Sequence, residues 1–320
     1  MPRASECAGE VPLHPLTLKI LENAADIDAG NVVEAARTVL IALLRADGVV
    51  TEAEDEGDPF AELEGLIGLG RVKDEVRKLA EMVKFNMARK AQGLGCESLT
   101  SHFVFTGNPG TGKTTVARII ARIYKKLGVL KKGHLVEVDR SKLVAGYIGQ
   151  SAIQTNAVLD AAMDGVLFVD EAYSLVSGGR SDYGGEVIAT MLKRMEDARD
   201  RLVVIVAGYE NEMRRFVASN PGLESRFTKY VDFPDYSAAE LTRIVETMAK
   251  VQDYICSSAA VSAVRAKMEQ AVASGIAQKG NARYARNLFK AATERMALRV
   301  MSRSGATRRQ LQTIEAEDIA

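Results

Sequence analysis

One stretch constrains this chain more than any other: HFVFTGNPGTGKTTVARIIARIY, from His102 to Tyr124. His102–Thr106 reads as a short buried strand. Val116–Tyr124 reads as a helix, with Val116, Ile119, Ile120 and Ile123 at helical spacing. Between them Gly107, Asn108, Pro109, Gly110, Thr111, Gly112, Lys113 and Thr114, followed by Thr115, fit the pattern GxxxxGK[ST] in full. Strand, loop and helix in that order are the setting a phosphate-binding loop requires. The glycines let the backbone curl so that successive N–H groups point inward, and the helix N-terminus adds its own free N–H groups and dipole. Lys113 then reaches the β- and γ-phosphates and the Thr114 hydroxyl ligates Mg²⁺, so ATP and Mg²⁺ are the expected ligands. A glycine-rich turn with an incidental lysine accounts for the letters but not for their setting.

Downstream, apolar runs and helical patterns alternate. His134–Asp139 reads as a strand, Ser151–Met163 as a helix, and Val166–Val169 as an apolar run without polar alternation. Such a run suits a parallel strand covered on both faces. Asp170 and Glu171 stand at its C-terminal end, where open α/β sheets place their ligands. Asp170 suits the Mg²⁺ water shell, and Glu171 suits the orientation of an attacking water. Leu202–Ala207 is a third run of this kind, followed by a short helix over Glu210–Ala218. Asn220-Pro221-Gly222-Leu223 reads as a turn, and Tyr230–Phe233 as the last strand. The alternation predicts an α/β fold, a doubly wound parallel sheet. Ahead of it, Leu63–Leu69 and a helical pattern from Val72 to about Ala91 fit either an adenine-packing segment or plain helix packing.

Composition narrows the function classes. Lys+Arg and Asp+Glu both number 42, so a chain-wide basic footprint for nucleic acid is absent. Cys7, Cys96 and Cys256 are far apart and form no CxxC pair, which fits a reducing compartment and suggests neither a disulfide framework nor a zinc site. No apolar run has the ~18–20 residues of a membrane span and no signal-peptide core opens the chain, so a cytoplasmic protein without a membrane partner is expected.

The flanks differ from the centre. Leu16–Ala46 reads as two helices, and Asp47 to Glu64 carries Asp47, Glu52, Glu54, Asp55, Glu56, Asp58, Glu62 and Glu64 with no Lys or Arg between them. Without DxDxDG spacing this run reads as a solvated linker rather than a calcium loop. At the other end Ser237 and Glu240 form a capping-box pattern, and helices follow at about Ala238–Val251, Ala259–Ala273 and Ala282–Met301. The last opens on Gly280-Asn281-Ala282-Arg283. Arg286, Lys290, Arg295, Arg299 and Arg303 continue a basic stripe that reads as a solvated face.

From Leu66 to about Ile319 the chain resembles an AAA+ ATPase of the CbxX/CfqX family, a group that includes red-type Rubisco activases, a type VII secretion ATPase and stage V sporulation protein K. The resemblance rests on GNPGTGKTTVAR, KKGHLVEVDRSKLVAGYIGQSA, GVLFVDEAYSL, LVVIVAGY, NPGLESRF and GNARYARN. It implies a parallel-sheet core with a C-terminal helical lid. It implies that Arg226 is an arginine finger acting on a neighbouring subunit, that Arg283 is the sensor-2 arginine, and that Tyr147, with Ile148, forms an aromatic pore loop. On their own, Arg226 also fits a surface ion pair, Tyr147 a turn aromatic and Arg283 a member of the stripe. Ala207-Gly208-Tyr209 lacks the usual sensor-1 Asn, a departure from the general pattern.

The expected organisation is a helical segment and acidic linker over 1–60, a nucleotide-binding core over 61–236 and a lid over 237–320. The expected activity is ATP hydrolysis by a homo-oligomer, a hexameric ring, that remodels a protein substrate the sequence does not name. A nucleotide switch that recruits a partner without mechanical work is the alternative. A DNA-remodelling role is disfavoured by the balanced charge.

Overall fold

The computed structural model describes residues 39, 41, 43–45, 48–52, 57–95, 100–145, 150–176, 183–302 and 305–319. Its centre is a six-stranded sheet of β1 (Val50–Thr51), β2 (Phe103–Gly107), β3 (Leu135–Val138), β4 (Gly165–Val169), β5 (Leu202–Gly208) and β6 (Lys229–Phe233). Their order across the sheet is β1-β3-β4-β5-β2-β6. All neighbours are parallel except β1, which runs antiparallel to β3 with Val50 opposite Val136. β4 and β5 are buried at every position because helices cover both faces. Alternate residues feed two cores. Phe105, Phe168 and Ile205 face one layer, while Val104, Leu167 and Val204 face the other.

The first layer holds α1 (Pro59–Gly65), α2 (Gly70–Ala91) and α3 (Lys113–Lys126). The second holds α4 (Gln150–Ala161), α5 (Gly184–Asp197), α6 (Glu210–Ala218) and α7 (Pro221–Arg226). Beyond the sheet lies the lid, built from α8 (Ala238–Val251), α9 (Ser258–Ala273), α10 (Ala282–Met301) and the short α11 (Arg308–Gln312). Both bonds of the expected Ser237–Glu240 capping box are present. The lid is not purely helical: Ile255–Cys256 (β7) and Thr313–Ile314 (β8) form a parallel ladder.

Four features depart from the sequence expectation. The acidic run is docked in part, through Val50–Thr51 on β3 and through α1, where Leu63 is fully buried. Asp58 there bonds Lys126, and Glu62 pairs with Arg122 of α3. The division at 60/61 falls inside α1, which Asp58 caps and Pro59 starts. Asn220-Pro221-Gly222 is likewise a helix start: Asn220 accepts from Gly222 N at 2.8 Å, and Pro221 takes the first position, where its missing N–H costs nothing. The basic stripe is structural at Arg299, which forks onto the buried Asp318, while Arg303 lies outside the described residues. Of the two N-terminal helices expected over Leu16–Ala46, residues 39, 41 and 43–45 are described and are helical, and the rest lie outside the described residues.

Candidate nucleotide site

β2 sits between β5 and β6 and ends at Gly107, so the loop after it emerges at the C-terminal edge of the sheet. Gly112 takes φ +97 and caps α3, a conformation that favours glycine. α3 therefore begins at Lys113, one turn earlier than the apolar pattern suggests, and turns its free N–H groups toward the loop. Thr111 is buried and its hydroxyl donates to Asn108 O at 2.8 Å, which braces the loop from inside. Lys113 Nζ donates to Gly107 O and Asn108 O, each at 2.8 Å. Burial pushes the Lys113 pKa down, and Arg283 adds to this against the opposite pull of Asp170, Asp235 and Glu171.

A cavity of about 300 Å³ opens here, at the lower end of the range for small-ligand sites. Gly107, Pro109, Gly110, Gly112, Lys113, Thr114 and Thr115 line it from the loop. Asp170 and Glu171 line it from the end of β4, Gly208 and Tyr209 from the end of β5, and Ala282, Arg283 and Arg286 from the lid. Sheet order explains the meeting, because β2, β5 and β4 are consecutive strands whose ends share one edge. Asn108 stands beside the cavity, bonded to Asp235.

The strand-end carboxylates are held differently. Asp170 N donates to Val138 O at 2.8 Å, and Glu171 N donates to Asp170 Oδ1 at 3.1 Å. Glu171 has φ +49, a left-handed conformation uncommon outside glycine, which turns its side chain away from the strand path. Tyr173 lies close enough to Glu171 for the carboxylate to act on its phenol. Its phenol is pushed up to about 12, first by burial and then by Glu171, Tyr209 and Asp170. Gly208 makes room for this ring, since a Cβ there would lie 2.7 Å from Tyr173 Cδ1.

The donor set fits a hard cation with phosphate oxygens. Thr114 offers a hydroxyl and Asp170 a carboxylate in the same cavity, all oxygen ligands of the kind Mg²⁺ takes. Thr114 Oγ1 lies 3.3 Å from Glu137 Oε1 on β3. Burial raises the Glu137 pKa, and the nearby Asp170 raises it further against the Thr114 bond.

Arg226 does not line this cavity. It closes α7 and pairs with Glu196 at 3.1 Å, and its side chain is 29% exposed. Its Nε is buried without a hydrogen-bond partner among the described residues. Burial and the Arg226 charge push the His102 pKa down to about 4, so His102 is neutral beside the guanidinium. Tyr147 and Ile148 lie outside the described residues.

The fold brings further residues here, among them Arg286, which the sequence places on a solvated stripe. Arg286 follows Arg283 by three positions and so shares its helix face, a signal present in the spacing. Glu137, Tyr173 and Tyr236 carried no such signal. Tyr236 reaches the loop through its hydroxyl, 3.3 Å from Thr111 O.

Residues 103–235 match the family model described as "ATPase family associated with various cellular activities (AAA)", and residues 237–320 match the AAA lid domain. The chain is 43% identical over 273 residues to the ESX-3 secretion system protein EccA3 of Mycolicibacterium smegmatis, a match covering 81% of this chain and 45% of that protein. The chain thus spans about half the length of that relative. It is 44% identical over 261 residues to the chloroplastic ribulose bisphosphate carboxylase/oxygenase activase of Cyanidioschyzon merolae, covering 79% and 87% of the two chains. Among solved structures, the FIGL-1 AAA domain in complex with ADP matches with a TM-score of 0.59 at 17% identity over 88% of each chain, a likeness of fold alone.

Proposed function

Because the chain belongs to the AAA family of ATPases and carries the AAA lid, we propose that it hydrolyses ATP within a homo-oligomeric ring and uses the cycle to remodel a protein partner. The observation that carries this is the division of the machinery. Lys113, Thr114, Asp170, Glu171 and Arg283 line one cavity, while Arg226 stands outside it on α7. An arginine that serves γ-phosphate chemistry from there serves a neighbouring copy. Such a head-to-tail contact repeats and closes into a ring when its rotation allows, and six copies are proposed.

In this scheme the phosphate loop binds the triphosphate through its backbone N–H groups and Lys113. Thr114 and Asp170 hold Mg²⁺, which neutralises charge on the phosphate oxygens. Glu171 orients the attacking water, and the Tyr173 phenol beside it is proposed to steady the carboxylate. Arg283 and Arg286 approach the phosphates from the lid, and the Arg226 of a second copy approaches the γ-phosphate. Tyr147 and Ile148 are proposed to grip the substrate in the ring channel. The ADP in the FIGL-1 structure and the activase and secretion roles named for relatives accord with this scheme, and the substrate here is a protein of unassigned identity.

Mixing two inactive chains tests the central claim. Arg226→Ala and Lys113→Ala chains each lack one half of a site. Mixed, they should recover part of the wild-type turnover, because some interfaces pair an intact loop with an intact arginine. Strictly additive inactivity across mixing ratios would refute action in trans.

A further inference from the structure

Asn281 holds a backbone conformation that glycine suits and asparagine does not, with φ 47 and ψ −120. A side chain stays in such a region only where its surroundings over-determine it. The surroundings here are specific. Asn281 is 1% exposed, and its Oδ1 accepts from Tyr236 N at 3.0 Å. Its Nδ2 donates to Asp235 Oδ1 at 2.8 Å, with Gln278 O at 3.2 Å and Pro109 O at 3.3 Å also in range. Asp235 in turn accepts from Asn108 Nδ2 at 2.9 Å.

One buried amide therefore joins three parts of the molecule: the phosphate loop at Pro109, the exit from the core at Asp235 and Tyr236, and the first turn of α10. The main chain repeats the join, because Ala282 N donates to Gly110 O at 3.1 Å. The approach is close enough to demand glycine. With φ +73, Gly110 would carry a Cβ only 2.0 Å from Gly280 O and 3.1 Å from Arg283 N. Arg283 follows Asn281 by two residues, so whatever fixes the start of α10 fixes the base of the Arg283 side chain.

We propose that Asn281 and Asp235 are positioning residues for ATP binding: they fasten the start of α10 to the phosphate loop, and this holds Arg283 at the phosphates. The proposal rests on the assignment of the cavity to ATP. Its energetic content is a coupling. Arg283 contributes in full only while Asn281 fixes the backbone beneath it, and without Asn281 the arginine is ordered by the ligand at a cost in affinity.

A double-mutant cycle on the 320-residue chain tests this, with ATP and ADP titrated by calorimetry. The variants are Asn281→Gly, Arg283→Ala and the double variant. Glycine accepts the Asn281 backbone angles, so the variant keeps its fold while losing the amide. Each single change should weaken ATP binding by about tenfold, a size typical of coupled neighbours. The double variant should be no weaker than the weaker single one. The loss in Asn281→Gly should be larger for ATP than for ADP, whereas general loosening of the lid would weaken both alike. Reversing the pair, Asp235→Asn with Asn281→Asp, should recover affinity relative to Asn281→Asp alone, because an amide again faces a carboxylate. If Arg283→Ala costs the same factor with and without Asn281, the positioning role is overturned. If Lys113→Ala binds ATP as the wild type does, the cavity assignment fails first and the proposal falls with it.

Discussion

At the scale of single residues, the site is a set of side chains whose orientation is fixed by neighbours not themselves expected at the phosphates. Glu171 is the clearest case. It bends away from β4 at φ +49, and the Tyr173 phenol stands beside it. Tyr173→Phe keeps the ring that packs on Gly208 and removes the hydroxyl. Steady-state turnover should fall by about tenfold, less than the ~10²–10⁴ of removing a general base outright, with KM for ATP nearly unchanged. Unchanged turnover would detach the hydroxyl from the water-orienting step. Lys113, Thr114, Asp170 and Glu171 were legible in the sequence because each belongs to a run whose local pattern sets its geometry. Asn281, Glu137 and Tyr173 were not. Asn281 and Glu137 come to the loop through the approach of the lid and β3, which no spacing of letters encodes, and Tyr173 stands beside Glu171 because of how the chain turns after β4.

At the scale of elements, strands with uniform apolar runs and helices with clean periodicity were readable to within a few residues. The misread and unexpected elements share a cause, which is that Pro and Gly punctuate helices as well as turns. Asn220-Pro221-Gly222 caps and starts α7, Asp58-Pro59 does the same for α1, and α5 opens on Gly184 and Gly185 despite burying Val187, Ile188, Met191 and Met195. Charge misled too, since Arg299 looks like one of many exposed cations but forks onto Asp318 at 2.8 Å through both nitrogens. Burial alone would raise the Asp318 pKa, but the Arg299 fork and the Glu315 amide outweigh it and hold it below the usual carboxylate range. A depressed folded-state pKa contributes stability that is present above the unfolded value and lost as pH falls through the folded one. Arg299→Ala strands a buried carboxylate and should lower lid stability by about 3–5 kcal/mol at neutral pH. Denaturant melts of the two chains should converge as pH falls through the Asp318 titration. A constant gap would assign the loss to packing of the arginine stem.

At the scale of the whole molecule, a single chain holds the residues of the nucleotide cavity and Arg226 apart. Arg226 rests against Glu196 on its own surface, and under the proposed ring mechanism each subunit would be complete for binding but not for turnover. Turnover per chain should therefore rise with protein concentration and level off, while the dissociation constant for ATP stays nearly constant across the same range. The rise should vanish in Arg226→Ala. A specific activity independent of dilution in the wild type would mean that an isolated subunit turns over alone.

The fastening at Asn281 also sets a lever. α10 has 20 residues, hence a length of about 30 Å, and it is held to the phosphate loop at one end. If the lid turned as a unit by about 10° at that pivot, ordinary for a hinged element, the far end of α10 would move by about 5 Å. Leu298 and Met301 stand near that end, 75% and 73% exposed. The lid that carries this apolar end would sweep its widest arc there while the pivot barely moved, so under the proposed mechanism a change of one phosphate at the loop would reach an oily surface a helix length away as a stroke.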